Sequence, residues 1–215
     1  MKPSRRAVLA EVADLVVQHM RTPVTRVAVD GIDGAGKTAF AQELTGVLRG
    51  RGWPVIRASV DGFHYPREVR YGRGRASPVG YYLDSFDYDR LRHVLLDPLS
   101  PGGTGNYVLA VHDVASDRTV DLEPAQAVDG SVLVFDGIFL HRPELVDYWD
   151  CSIFLRVDRP IAVERMRRRD GAVDMTLEHP RYAEGQRLYL ESCRPDELAT
   201  VVVDNDLLDE PKLLQ

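Results

Sequence analysis

Residues 31–38 have the composition and spacing of a phosphate-binding loop. They read Gly-Ile-Asp-Gly-Ala-Gly-Lys-Thr and match the pattern G-x-x-x-x-G-K-[ST] without a mismatch. Glycines let backbone N–H groups converge on phosphate oxygens, the lysine reaches the outer phosphates, and the threonine hydroxyl ligates Mg²⁺. We therefore expect ATP and Mg²⁺ to bind here. The residues assigned to ATP binding are Gly31, Asp33, Gly34, Ala35, Gly36, Lys37, Thr38 and Ala39.

Aspartates follow the apolar segments that we interpret as strands. Asp30, Asp61, Asp136 and Asp158 each come directly after such a segment. Because the carboxyl ends of parallel strands meet at one edge of a sheet, these carboxylates should lie beside the phosphate-binding loop. We expect Asp61 to be the base that orients and deprotonates an acceptor hydroxyl. Asp136 should hold Mg²⁺ together with Thr38.

Four arginines, Arg165 and residues 167–169, form a dense basic group in a segment with a helical pattern. Arg165 and Arg169 are four residues apart and share one helix face. Guanidinium groups can clamp phosphate oxygens with paired hydrogen bonds. We expect these two arginines and Lys37 to stabilise the charge on a transferred phosphoryl group. The alternative is a solvated helix face paired with neighbouring acidic residues.

Residues 61–82 combine aromatic side chains with arginines. Such side chains can stack on a flat ring and hold an anionic group. A loop of this length in a compact domain is usually functional or disordered. His64 and Tyr65 are therefore candidate substrate-binding residues, and a mobile surface loop is the alternative.

Apolar strands alternating with helices predict an α/β fold with a central parallel sheet covered on both faces. With the phosphate-binding loop, this is the three-layer sandwich of P-loop NTPases, and we expect a small β-hairpin and a lid in addition. We predict one domain over residues 1–215. Its parts are an N-terminal helix (1–22), a substrate loop (61–82), a hairpin (106–122) and a lid region (165–195).

Composition narrows the classes of function. The chain has 215 residues, a net charge of −6 and 44% hydrophobic residues. This acidic balance argues against a nucleic-acid-binding face, and no apolar run is long enough to span a bilayer. Two distant cysteines without a metal-ligand pattern favour a cytoplasmic protein with reduced thiols. We expect a small-molecule partner, no nucleic acid and no membrane, and leave self-association into a homo-oligomer open.

The motifs resemble those of the uridine kinase and phosphoribulokinase group of P-loop kinases, which also includes bacterial pantothenate kinase. The similarity extends over residues 24–205, nearly the whole chain. Besides the phosphate-binding loop, it rests on residues 60–64 (VDGFH), 84–87 (DSFD) and 135–138 (FDGI), on Tyr107 followed by His112, and on the arginines from Arg165 onward.

The resemblance implies roles for individual residues. In uridine kinases the aspartate matching Asp61 is the general base for the ribose 5′-hydroxyl. Residues matching Tyr107 and His112 contact the pyrimidine, and those matching Arg165 and Arg169 belong to the lid around the triphosphate. The implied activity is ATP-dependent phosphorylation of uridine or cytidine, a reaction of pyrimidine salvage.

The chain also departs from the uridine kinase pattern. Tyr81 lies near the position of the aspartate that holds the ribose, and Asp136 replaces the usual glutamate. Residues 61–64 (DGFH) are closer to the pantothenate kinase and sugar-kinase branches, and residues 181–187 do not align cleanly with the lid. Pantothenate or a sugar is therefore the alternative acceptor. A nucleotide-driven switch or assembly ATPase, and a protein that binds nucleotide without turnover, are also compatible with the phosphate-binding loop.

Overall fold

The computed structural model describes residues 3–170 and 179–214. The elements in chain order are α1 (Pro3–Gln18), β1 (Val24–Gly31), α2 (Lys37–Gly50), β2 (Val55–Ser59), α3 (Arg67–Arg70), α4 (Pro78–Asp84), α5 (Tyr88–Leu91) with a π-helical turn (Arg92–Leu96), β3 (Asn106–Tyr107), β4 (His112–Asp113), β5 (Arg118–Thr119), β6 (Ala125–Gln126), β7 (Ser131–Gly137), β8 (Cys151–Arg156), α6 (Arg159–Asp170), α7 (Pro180–Cys193), α8 (Pro195–Leu198), β9 (Val201–Asp204) and β10 (Lys212–Leu213). Two short 3-10 helices lie at residues 60–63 and 146–148.

The central sheet has six strands in the order β10-β9-β8-β1-β7-β2. All neighbouring pairs are parallel except β10 with β9. In the register, Asp30 pairs with Gly137 and Ser59 pairs with Asp136, so the strands on either side of β7 end at the same level. The predicted α/β fold with a central parallel sheet is confirmed, with one short antiparallel strand at its edge.

The sheet is buried on both faces because its strands alternate between two hydrophobic clusters. Val132 and Val134 of β7 face the cluster under α1, α2 and α6, whereas Leu133 and Phe135 face the cluster under α5 and α7. All seven residues of β7 are buried, which is why this strand reads as a continuous apolar run. Helices on both faces make the three layers that we predicted.

Residues 61–82 are more ordered than the loop we expected. The segment contains α3 and most of α4, and it begins within a 3-10 helix. Ser77 caps α4, since its side-chain oxygen accepts a hydrogen bond from the N–H of Gly80 at 3.0 Å. The cap and the proline at the first helical position explain why α4 forms at this point.

The predicted hairpin forms, but over fewer residues than 106–122. His112–Asp113 pairs with Arg118–Thr119, but Tyr107 pairs with Ala125 in a separate two-stranded ladder. Tyr107 and His112 therefore do not lie on one continuous strand. The predicted lid region includes residues 171–178, which lie outside the described residues. Over residues 3–170 and 179–214, no helix has the length and apolarity needed to cross a bilayer.

Candidate active site

The turn between β1 and α2 has a conformation that requires glycine. Gly34 and Gly36 have φ angles of +79° and +89°, a region that side chains with a Cβ atom rarely adopt. A Cβ atom on Gly34 would also lie 2.4 Å from the carbonyl oxygen of Ala162. Gly34 therefore lets the turn pack tightly against α6, and Gly36 lets it approach Asn205.

The N-terminus of α2 opens into a cavity of about 700 Å³, which we call the phosphate cavity. No side chain of the described residues caps this helix, whose N-cap residue is Gly36. The first backbone N–H groups of a helix have no intrahelical acceptor and carry partial positive charge, so they attract anions. Because these N–H groups face it, the cavity suits the phosphate groups of a nucleotide. Its loop residues are Asp33, Gly34, Gly36, Lys37, Thr38 and Ala39.

Lys37, Thr38 and Asp136 lie together on the wall of the phosphate cavity. The Thr38 hydroxyl donates to Oδ2 of Asp136 at 2.7 Å, and Oδ1 of Asp136 forms an ion pair with Arg57 at 2.5 Å. Lys37 donates from Nζ to the carbonyl of Ile32 at 2.9 Å. A hydroxyl beside a carboxylate is a set of hard oxygen donors that suits Mg²⁺ when phosphate oxygens and water complete its shell.

Asp61 and His64 line a second cavity of about 540 Å³, which we call the acceptor cavity. Five of the described residues line both cavities, so the two cavities meet there: Asp33, Asp61, Ile138, Met166 and Arg169.

The environment shifts the ionisation of both groups. Asp61 is solvent-exposed because it borders the cavities, yet protein surrounds its other sides. The resulting desolvation raises the pKa of its carboxyl group above 3.8, although His64 and Lys37 oppose this shift. Burial lowers the pKa of His64 below 6.5, and its Nδ1 lies 3.0 Å from the Asp61 carbonyl. A carboxylate of increased basicity therefore lies next to an imidazole that stays neutral at pH 7.

Asp33 links the phosphate-binding loop to α4 and α7. Its Oδ2 accepts hydrogen bonds from the Tyr81 hydroxyl and from Nε2 of Gln186, both at 3.0 Å. Its backbone N–H donates to Oε1 of Gln186, also at 3.0 Å. We assigned Asp33 to ATP binding but did not identify Gln186, whose only signal in the sequence is its position in the predicted lid.

Asn205, directly after β9, supports the loop from behind. Its Nδ2 donates to the carbonyl of Ala35 at 2.7 Å, and its Oδ1 accepts from Arg5 of α1 at 3.2 Å. Asn205 is fully buried. The sequence analysis missed both Asn205 and Arg5. The end of the last predicted strand could have pointed to Asn205, since polar residues at strand ends reach this edge of the sheet.

The carboxylate of Asp30 is used in hydrogen bonds within the core. Its buried carboxylate accepts hydrogen bonds from the backbone N–H of Gly31 at 2.6 Å and from Nδ1 of His141 at 2.7 Å, and the Tyr189 hydroxyl also donates to it. Burial raises the pKa of Tyr189 well above its ordinary value, which keeps this donor protonated. Of the four strand-end aspartates, Asp61 and Asp136 line the phosphate cavity, whereas Asp30 and Asp158 do not.

The remaining assigned residues fall into two groups. Arg165 and Arg169 line the phosphate cavity, and Arg165 also donates to the carbonyl of Asn205 at 2.7 Å. The second group lies outside the walls of both cavities. It consists of Gly31, Ala35, Tyr65, Tyr107 and His112.

His112 is buried, and its Nε2 lies 3.2 Å from Oδ1 of Asp117. Asp117 in turn pairs with Arg70, which lines the acceptor cavity. The structure therefore brings Asp61, His64, Lys37 and the Thr38–Asp136 pair together, but it does not bring Tyr107 and His112 to the cavity wall.

Solved structures that are similar to this chain include proteins described as kinases. A structure described as that of a possible uridine kinase from Bacillus stearothermophilus matches with a TM-score of 0.73 at 22% identity, covering 92% of this chain and 97% of that one. D-glycerate 3-kinase from Cryptococcus neoformans var. grubii matches with a TM-score of 0.56 at 14% identity, covering 87% and 89%. The fold is that of the P-loop kinases.

Sequence comparison also finds a distant relative. A probable thymidylate kinase from Thermoplasma volcanium is 26% identical over 172 residues, which cover 76% of this chain and 82% of that protein. No family model matches the chain. The expected resemblance to uridine kinase-like P-loop kinases is confirmed by the structural neighbours.

Proposed function

We propose that the protein is an ATP-dependent kinase that transfers the γ-phosphoryl group to a hydroxyl of a small molecule. The observation that carries this proposal is the position of Asp61 on the walls of both the phosphate cavity and the acceptor cavity. A base at that junction can reach a hydroxyl aligned with a terminal phosphate. The similarity to proteins named as kinases supports the same reaction class.

Each residue has a part in this reaction. Asp61 orients the acceptor hydroxyl and accepts its proton as the oxygen attacks phosphorus. The N–H groups at the start of α2 and Lys37 bind the phosphates, and Arg165 and Arg169 stabilise charge on the transferred group. Thr38 and Asp136 would hold Mg²⁺, which would neutralise phosphate charge when bound. These roles require water to be excluded, since water would compete as acceptor.

The resemblance to known kinases narrows the identity of the acceptor but does not fix it. Uridine or cytidine is the first candidate, with phosphorylation at the 5′-hydroxyl, and pantothenate or a sugar is the alternative. His64 is placed to contact any of them, because it lines the acceptor cavity beside Asp61. A nucleotide-driven switch is the candidate from another class, but it gives no role to an acceptor cavity next to the base. The cytoplasmic location stays a prediction.

The test is ADP release measured with and without a panel of nucleosides, pantothenate, sugars and sugar acids. The kinase account expects turnover to rise strongly with at least one acceptor. Turnover that no acceptor changes would favour the switch. ATP binding without any turnover would favour a protein that only binds nucleotide.

A further inference from the structure

The acceptor cavity has two chemically different ends. Its acidic residues, Asp33 and Asp61, lie at the junction with the phosphate cavity, because they line both. Among the described residues that line only the acceptor cavity, the charged ones are Arg70 and Arg181, and no aspartate or glutamate occurs. The part of the wall that belongs to the acceptor cavity alone is therefore cationic.

Arg181 is a buried cation whose hydrogen bonds run to neutral carbonyl groups. The residue is 3% exposed. Nη1 donates to the carbonyl of Ser77 at 3.0 Å and Nη2 to the carbonyl of Arg70 at 2.9 Å. No carboxylate forms an ion pair with Arg181 in residues 3–170 and 179–214. Among the described residues, this buried guanidinium therefore has no counter-ion, and an anion in the cavity would offset the electrostatic cost of its burial.

The guanidinium groups of two more arginines, besides that of Arg181, lie near the ring of Tyr71. The guanidinium carbon of Arg181 lies 4.8 Å from the centre of the Tyr71 ring, and those of Arg70 and Arg75 each lie 5.6 Å from it. The carboxylate of Asp117 pairs with this group, at 3.4 Å from Arg70. Three positive charges around one ring repel one another, so a ligand anion would lower their energy.

We propose that the acceptor carries a carboxylate or phosphate group that binds at the end of the cavity formed by Arg70, Tyr71 and Arg181. Its reacting hydroxyl then lies at the other end, beside Asp61. In the reaction, the hydroxyl proton passes to Asp61, the oxygen bonds to the γ-phosphorus, and the bond to the ADP oxygen breaks. This proposal rests on the proposed kinase function and restricts the chemical class of its acceptor.

An anionic acceptor also explains why the residues expected to contact a pyrimidine lie away from the cavity. Tyr107 and His112 lie outside the cavity wall, and His112 instead supports Asp117, the partner of Arg70. A neutral nucleoside would bring no anion to Arg181, which has no carboxylate partner among the described residues. The charge of the cavity thus favours an acid or a phosphorylated acceptor over uridine or cytidine.

The test uses pairs of acceptors that differ in charge but keep a hydroxyl: D-glycerate with glycerol, pantothenate with pantothenyl alcohol, and ribose 5-phosphate with ribose. Calorimetry measures their binding to the full chain in ADP and Mg²⁺. We expect at least one charged member to bind about tenfold or more tightly than its neutral partner, because hydrogen bonds to charged groups are strong. The identity of that member separates carboxylate from phosphate recognition.

Arg70→Gln should remove most of this preference. Arg73→Gln is the matched control, because Arg73 lies three residues away, is exposed and pairs with Asp84. Equal binding within every pair, binding of no charged member, or a preference that Arg70→Gln retains would overturn the proposal. Selective binding without phosphoryl transfer would support the anion site and contradict the kinase function.

Discussion

Asp61 differs from the other strand-end carboxylates in its surroundings, which are those that the proposed base requires. Asp30 accepts hydrogen bonds in the core, and Asp136 pairs with both Thr38 and Arg57. Asp61 instead borders two cavities, and partial desolvation raises its pKa above 3.8. One residue type at equivalent strand ends thus lies in three different environments, and we propose a different role for each.

Replacing this carboxylate should separate binding from chemistry. Asp61→Asn keeps the size of the side chain but cannot accept a proton, so kcat should fall about 100-fold or more. ATP affinity should stay close to that of the wild type, because Asp61 is not part of the phosphate-binding loop. Steady-state kinetics and nucleotide titration measure the two effects. Asp121→Asn on the exposed surface is the control, and an unchanged kcat in Asp61→Asn would contradict the assigned role.

The raised pKa of Asp61 also predicts a pH dependence. The base must be ionised, so kcat/KM should decline as the pH falls through the pKa of Asp61 in the free enzyme. Because burial raises this pKa, the midpoint should lie above 3.8 rather than at the value of an ordinary aspartate. The residual activity of Asp61→Asn should lack this decline. A midpoint at or below 3.8, with the fold intact by circular dichroism, would contradict the prediction.

At the scale of elements, the ends of β1 and β9 fix the phosphate-binding loop. Asn205 follows β9 and holds the carbonyl of Ala35, while Arg5 of α1 holds Asn205. The loop is thereby tied to an N-terminal helix that lies 200 residues from Asn205 in the sequence.

Asn205→Ala should loosen this support. It removes partners from the Ala35 carbonyl and from Arg5, so the free energy of unfolding should fall by about 1–3 kcal/mol. The KM for ATP should also rise, because the loop loses a fixed point. Denaturant unfolding and kinetics measure both changes. The control is Asp14→Ala, which removes an exposed ion pair from α1 and should lower the free energy of unfolding by at most about 1 kcal/mol. An equally small decrease for Asn205→Ala would contradict the account.

The sequence predicted the long elements well and the short ones poorly. Strands β7 and β8 were recognisable because buried parallel strands read as apolar runs. The ladders of β3 with β6 and β4 with β5 contain two residues per strand, too few to show a period. The pairing of Tyr107 with Ala125 therefore could not be derived from alternation.

At the scale of the whole molecule, the parallel sheet brings distant residues to one edge. The sequence predicted that Lys37, Thr38, Asp61 and Asp136 would meet there, since the rule depends only on strand direction. It did not predict that Gln186 would bind Asp33, because these residues are 153 positions apart and belong to different layers. Contacts of that kind depend on how α7 packs, which local patterns do not encode.

The central claim is that the γ-phosphoryl group moves to an acceptor held at Asp61 and not to water. The direct measurement follows γ-labelled ATP in the presence of the charged and neutral acceptors and separates labelled acceptor from labelled inorganic phosphate. We predict that wild type places most of the label on one acceptor, and that Asp61→Asn loses this transfer while still binding ATP. Label found only in inorganic phosphate, at a rate that no acceptor changes, would contradict the account.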